Sequence, residues 1–213
     1  MAKPFSAWSI GIASIFCLLS IGSDAAQAGT ISRSLKVGGQ VRHFIVTVPD
    51  GDKRARPVST VIALHGPSMT GRTMRRIFGL DALAERDGFA VAYPDGLEWR
   101  WNDGRLEEGG GPDDVAFIRR LADSLVREGI ADRERLYLLG ISNGGMLAYR
   151  IACEAPSTFA AYAAILANLP VSVAWKCVGH GSSPMLIINA TDDPVIPWEG
   201  GELHSIVRRG QVL

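Results

Sequence analysis

Five nearly continuous apolar runs, separated by longer stretches with apolar residues at helical spacing, restrict this chain to a layered α/β architecture. The runs are Thr60 to Leu64, Phe89 to Tyr93, Leu136 to Gly140, Ala161 to Leu166 and Met185 to Asn189. A strand covered on both faces has no polar side to show to water, so it loses the alternation of a half-exposed strand. Amphipathic segments between such runs are the crossovers of βα units, and the sheet they feed is parallel. Val41 to Val48 does alternate, and reads as an edge or early strand.

The crossovers carry their own start and stop signals. Asp113 and Asp114 can cap and charge the start of a helix in which Val115, Ile118, Leu121, Ala122 and Leu125 recur, and Gly129 can end it. A second helix is predicted over Arg75 to Arg86, and a third from just after Ser142 toward Pro156. The stretch from Pro94 to Pro112 is glycine-rich, contains Trp99 and Trp101 and has no apolar period. It reads as a long loop following a strand, a place where binding and catalytic residues concentrate.

The first residues have a separate role. Lys3 gives a positive start, Trp8 to Ile21 a short apolar stretch, and Ala26-Gln27-Ala28 a small-x-small site, so residues 1–28 read as a signal peptide cleaved before Gly29. The apolar stretch is shorter than the roughly 20 residues of a spanning helix and is interrupted by Gly11, Ser14 and Ser20, so no stable membrane insertion is expected after cleavage. Residues 29–213 then form one domain, secreted to the periplasm or the medium. Export leaves Cys153 and Cys177 as the mature cysteines, either a disulfide or two separately buried thiols. The 22 basic and 22 acidic residues cancel and are scattered. Nothing in that balance selects nucleic acid; a small or neutral partner fits better.

Between a predicted strand and a predicted helix lies Gly140-Ile141-Ser142-Asn143-Gly144, a G-x-S-x-G sequence. A serine on such a turn projects from the carboxyl edge of the sheet as a nucleophile, and the flanking glycines allow neighbouring backbone to come close. The backbone N–H of Asn143, at the start of the following helix, is a natural oxyanion donor. His65-Gly66 closes the Thr60 to Leu64 strand beside this turn, where a second donor belongs; Pro67 has no N–H, so that donor shifts to Ser68 or Met69 or comes from a different loop geometry. His65 itself reads as a structural histidine. Asp193 follows the Met185 to Asn189 strand, is favoured over Asp192, and can orient a histidine.

The histidine is the difficulty. It should come last, after another crossover of about a dozen residues or more. His204 follows Asp193 too closely to reach, and remains a weak candidate; His43 and His180 precede strands, which assigns them to the opposite edge. The sequence is therefore expected to end before its catalytic base, with the last strand and helix missing. No residue cluster has metal-ligand spacing, and the chemistry calls for no metal or organic cofactor.

At Leu64-His65-Gly66, at Asp87-Gly88-Phe89 through Tyr93-Pro94-Asp95-Gly96, at Asp113 to Phe117, at Gly140 to Met146 and at Thr191 to Gly201, the chain resembles the polyhydroxybutyrate depolymerase and feruloyl esterase family of secreted α/β hydrolases. The resemblance runs from about Ser34 to the end. It implies the α/β-hydrolase fold, with Ser142 as nucleophile and Asp193 as triad acid. It also implies a histidine in a Gly-His segment that nothing here matches, and substrates among hydroxyalkanoate esters, their polymers and aromatic acid esters. The family's glycine-rich loop after His-Gly is replaced by Pro67-Ser68-Met69. Two functions follow: a secreted carboxylic ester hydrolase, or a noncatalytic remnant that binds an ester or polymer fragment with Trp99 and Trp101 as its rim. A serine peptidase on the same scaffold has no separate support in the residues.

Overall fold

The computed structural model describes residues 29–50, 57–105, 111–178 and 183–203. The predicted leader, His180 and His204 lie outside the described residues. Among the described residues seven strands form one sheet in the order β1-β2-β4-β3-β5-β6-β7. β1 (Gly29–Val37) and β2 (Gln40–Val48) make an antiparallel hairpin whose turn, Gly38-Gly39, has φ of 56° and 83° at its two centres. That pair of left-handed residues matches the strand twist and is open to glycine at no steric cost. β2 joins β4 (Ala90–Pro94) antiparallel, and from there β3 (Val58–Leu64), β5 (Ala131–Ile141), β6 (Ala161–Ile165) and β7 (Met185–Ile188) run parallel.

The apolar runs of β3, β4 and β5 are continuous because both faces are covered; the Met185 to Asn189 run is not so covered among the described residues, since β7 ends the strand order. On one face Val46, Ile62, Leu64, Ala92, Leu136 and Leu138 pack with Phe117, Ile118, Leu121 and Leu125 of α3 (Asp114–Arg127) and with Leu147 and Ile151 of α4 (Asn143–Glu154). On the other, Ile45, Ala63, Val91 and Tyr93 meet Met74 of α1 (Gly71–Phe78) and Ala84 of α2 (Leu80–Asp87). α3 has the predicted ends: the Asp113 side chain accepts from the Ala116 N–H at 2.9 Å, and Gly129 follows at φ 68°.

Four expectations need correction. The helix predicted over Arg75 to Arg86 is two helices, because Gly79 adopts φ 59° and serves as the C-cap of one and the N-cap of the next. β5 begins five residues before Leu136: buried Ala131 pairs with Val58, and the charged Asp132 to Arg135 follow as an irregularity before pairing resumes at Leu136 and Thr60. β1 carries so many polar residues that it gave no strand signal at all. His43 lies inside β2, and since β2 runs antiparallel to its neighbours, His43 stands opposite Asp95 at the carboxyl end of β4. It is on the edge that carries Ser142, but β4 and β3 separate it from β5.

Cys153, at the end of α4, is disulfide-bonded to Cys177, with a Cα separation of 4.3 Å. The bond fixes the short helix α5 (Val171–Ala174) and the turn after it against the helix that follows Ser142. β7 is the last strand in the order among the described residues, and Leu186, Ile187 and Ile188 are each about half exposed. No helix among the described residues is long and apolar enough to cross a membrane.

Candidate active site

β5 delivers Ser142 to the middle of the sheet's carboxyl edge, on the turn into α4. The serine has φ 52° and ψ −119°, a conformation that L-residues rarely adopt. Its N–H donates to the Ile165 carbonyl at 2.8 Å, and its carbonyl accepts from Met146 at 2.9 Å. Backbone bonds on both sides thus hold the strain in place. The glycines around it are demanded by contact. A Cβ on Gly140 would stand 2.1 Å from the Gly144 carbonyl oxygen, one on Gly144 would be 2.6 Å from the His65 oxygen, and one on Gly145 would be 2.6 Å from the Ala167 Cβ. β3, β5, β6 and the start of α4 are so tightly drawn together that no side chain fits between them.

His65 is buried and fully engaged. The Gly96 N–H donates to its Nε2 at 2.9 Å, which places the ring proton on Nδ1, 2.7 Å from the Gly66 carbonyl it donates to. Burial pushes its pKa below 6.5, outweighing the Gly66 hydrogen bond and the nearby Asp95. Its structural reading therefore holds. Since the folded pKa is lowered, the unfolded chain binds the proton first as the pH drops below 6.5, and stability is lost as pH falls through that range. The expected result is a His65 imidazole resonance that titrates below 6.5, with a melting temperature that declines as the pH falls through the range below 6.5. A His65 resonance titrating above 6.5 would contradict this.

The loop after β4 closes over His65. Trp101 donates its Nε1–H to the His65 carbonyl at 2.9 Å, and its ring lies 4.8 Å from the imidazole. It is only 2 % exposed, so Trp101 is a buried support and not part of an exposed rim as expected from sequence; Trp99, 63 % exposed, is available for that role. Burial wins for Trp101 because its N–H finds a carbonyl below the surface, satisfying the one polar atom of the ring. Trp99 also corrects the second oxyanion donor. Its carbonyl accepts the Ser68 N–H at 2.8 Å, which commits that amide elsewhere and leaves Met69 of the two candidates. Ser68, Glu98 and Trp99 all have φ between 51° and 58°. Three strained non-glycine residues meet here, as they do where a site is held in a special geometry.

Asp193 lies on the loop that leaves β7, two strands from β5 along the same edge. Its Oδ1 accepts from the amides of Ile196 at 3.0 Å and Val195 at 2.8 Å, and these bonds hold its carboxyl below the usual range. An acid so fixed stays ionised and has its other oxygen to offer. Asn189, just after β7, reaches back to Ala167: Oδ1 accepts from its N–H at 3.0 Å and Nδ2 donates to its carbonyl at 3.2 Å. The loops after β6 and β7 are thereby joined.

A family model described as Esterase PHB depolymerase matches residues 43–188. The chain belongs to this esterase family. Among its relatives, "Putative esterase NocK" of Nocardia uniformis subsp. tsuyamanensis is 33% identical over 181 residues, covering 82% of this chain and 52% of that protein. Feruloyl esterase C of Emericella nidulans is 29% identical over 168 residues, covering 75% of this chain and 58% of the relative. The chain thus spans little more than half the length of these curated relatives. The fold is shared with a solved thermostable esterase at a TM-score of 0.63 and 22% identity, covering 80% of this chain and 49% of that one.

The motifs that carry the resemblance to the PHB depolymerase esterases have structural causes here. Asp95 accepts the Gly71 N–H at 2.7 Å and so fixes the start of α1. Asp114 is fully buried: its Oδ1 pairs with Arg42 Nη2 at 2.6 Å, and its Oδ2 accepts the Asn102 N–H at 2.7 Å. Burial pushes the Asp114 carboxyl up, and Arg42 and the Asn102 amide work against that shift. Arg42 lies over the Phe117 ring at 4.1 Å and also donates to the Asp95 carbonyl at 3.2 Å. One ion pair therefore ties β2, α3 and both ends of the loop after β4. The pairing was not legible from the residues, since Arg42 and Asp114 are far apart in the chain and Asp114 reads only as an acid at the start of a helix.

Proposed function

We propose that this chain is a serine carboxylic ester hydrolase, or the nucleophile-bearing part of one, acting through Ser142. The observation that carries the reading is the strained Ser142 backbone at a strand-to-helix turn, braced by Gly140 and Gly144. In that reaction the Ser142 Oγ attacks the ester carbonyl, its proton passing to a histidine, and the backbone amides of Asn143 and Met69 receive the negative oxygen. Asp193 orients the histidine, which then protonates the departing alcohol, and water releases the acyl group. Hydroxyalkanoate esters, their polymers and aromatic acid esters are the substrate classes that the family resemblance supports, with Trp99 as the exposed apolar surface beside the site. Residues 1–28 act as an export leader, and residues 29–213 carry the hydrolase domain. The leader pattern and the Cys153–Cys177 bond both support an oxidising destination.

A second reading has its own observation. Of the histidines among the described residues, His65 has both ring nitrogens engaged and His43 is three strands from β5. A cleft with a formed elbow but no proton acceptor would bind esters without cleaving them. The test is hydrolysis of p-nitrophenyl butyrate by the exported protein, whose mass also reads whether the chain starts at Gly29, beside its Ser142→Ala variant. Turnover that drops to the buffer rate in the variant is expected. Folded wild-type protein no faster than the variant would sink the hydrolase reading and leave the binding one.

A further inference from the structure

Asn143 contributes more than its backbone amide. Its side chain is buried and its Oδ1 accepts the Trp101 N–H at 2.7 Å, while its Nδ2 donates to the Trp101 carbonyl at 3.0 Å and to Asp103 Oδ2 at 2.6 Å. A carboxamide offers the same donor and acceptor as a peptide group, so it pairs with Trp101 as a neighbouring strand would. Asp103 is buried too, and Arg105 grips its carboxylate from the other side at 2.7 Å. Two residues before Trp101, the Trp99 carbonyl holds the Ser68 N–H, next to Met69.

The stretch from Trp99 to Asp103 is thus bonded at one end to the loop that offers Met69 and at the other to the residue after Ser142. Glu98 and Trp99, successive non-glycine residues at φ 51° and 58°, are not a conformation the chain keeps unaided. The stretch is held before them by the Gly96 bond to His65 and after them by the Asn143 carboxamide.

We infer that the Asn143 side chain is a positioning residue: acting through Trp101 and Trp99, it fixes the separation of the two amides that receive the oxyanion. This rests on the ester-hydrolase reading for its catalytic consequence but not for the coupling itself, so the two can be tested apart. In Asn143→Ala, exchange of the Ser68 amide hydrogen, which Asn143 does not touch, should speed up at least about tenfold, while amides inside α3 keep their rates. For p-nitrophenyl butyrate, kcat should fall about 100-fold with KM within about threefold, as when an oxyanion donor is misplaced. Asp103→Asn leaves the Asn143 pairing with Trp101 in place and weakens only its third bond, and should show both effects in smaller measure. If Asn143→Ala also loosens α3, the Asp103→Asn variant decides. An unchanged Ser68 rate, or a loss carried by KM alone, overturns the inference. If the wild type hydrolyses no faster than Ser142→Ala, the ester reading fails and the Ser68 exchange rate alone decides the coupling.

Discussion

Gly140→Ala is expected to destabilise the protein by about 3 kcal/mol or more, a loss read as a fall in the urea midpoint with little change in slope. Elsewhere in a strand, glycine to alanine is neutral or helpful, because alanine restricts the unfolded chain. Gly140 has no left-handed φ to excuse it, so the whole effect comes from contact. The added methyl would stand 2.1 Å from the Gly144 oxygen, 2.3 Å from its carbonyl carbon and 2.6 Å from the Gly145 nitrogen, all backbone. No rotamer change relieves such a clash; α4 must retreat from β5, and Ser142 moves with it. Gly129→Ala is the matching control: it has φ 68° and nothing within 4 Å, so only a conformational cost of about 1 kcal/mol is expected. Equal losses in the two variants would show that packing at the elbow is looser than described.

Asp114→Ala should cost about 3–5 kcal/mol, because it strands the Arg42 guanidinium in the interior. Arg42 is 1 % exposed, its Nε has no hydrogen-bond partner, and Asp114 is its buried counter-charge. The variant also frees the Asn102 N–H, so the loop over His65 loosens at the same time. Combining Asp114→Leu with Arg42→Met should recover part of the stability, since two apolar side chains leave no buried charge behind. A double variant no better than Asp114→Ala would place the energy in the loop contacts and not in the ion pair.

What the residues disclosed and what they withheld divide along a physical line. Ser142 on its turn, the capped α3 and the five apolar strands follow from local rules, in which period, cap and glycine spacing lie within a few neighbouring positions. The split at Gly79 could have been read from the glycine, but an amphipathic period running across it hid the break. β1 escaped because hydrogen bonding to β2, and not burial, makes it a strand, and the start of β5 escaped because one buried residue, Ala131, is set off from the apolar run by four charged ones. Trp101 was misread because an aromatic in a long loop gives no local sign of whether its N–H will meet water or the His65 carbonyl. The Ser68 donor failed for a similar reason: a distant carbonyl, Trp99, had already taken the amide.

The braces around Ser142 share one property with a consequence for how such a site can change. Asn143 binds the N–H and carbonyl of Trp101, Asn189 binds those of Ala167, and His65 binds the Gly66 carbonyl and the Gly96 N–H. In each case a side chain grips main-chain atoms, which every residue type except proline supplies alike. The grips themselves do not read the side chains they hold, but packing does: a Cβ on Gly96 would stand 2.2 Å from the Arg100 carbonyl oxygen, and Trp101 and Ala167 are buried. Room for change therefore lies between the grips, at exposed positions such as Trp99, where a substitution could retune what enters the cleft while the reactive serine keeps its place.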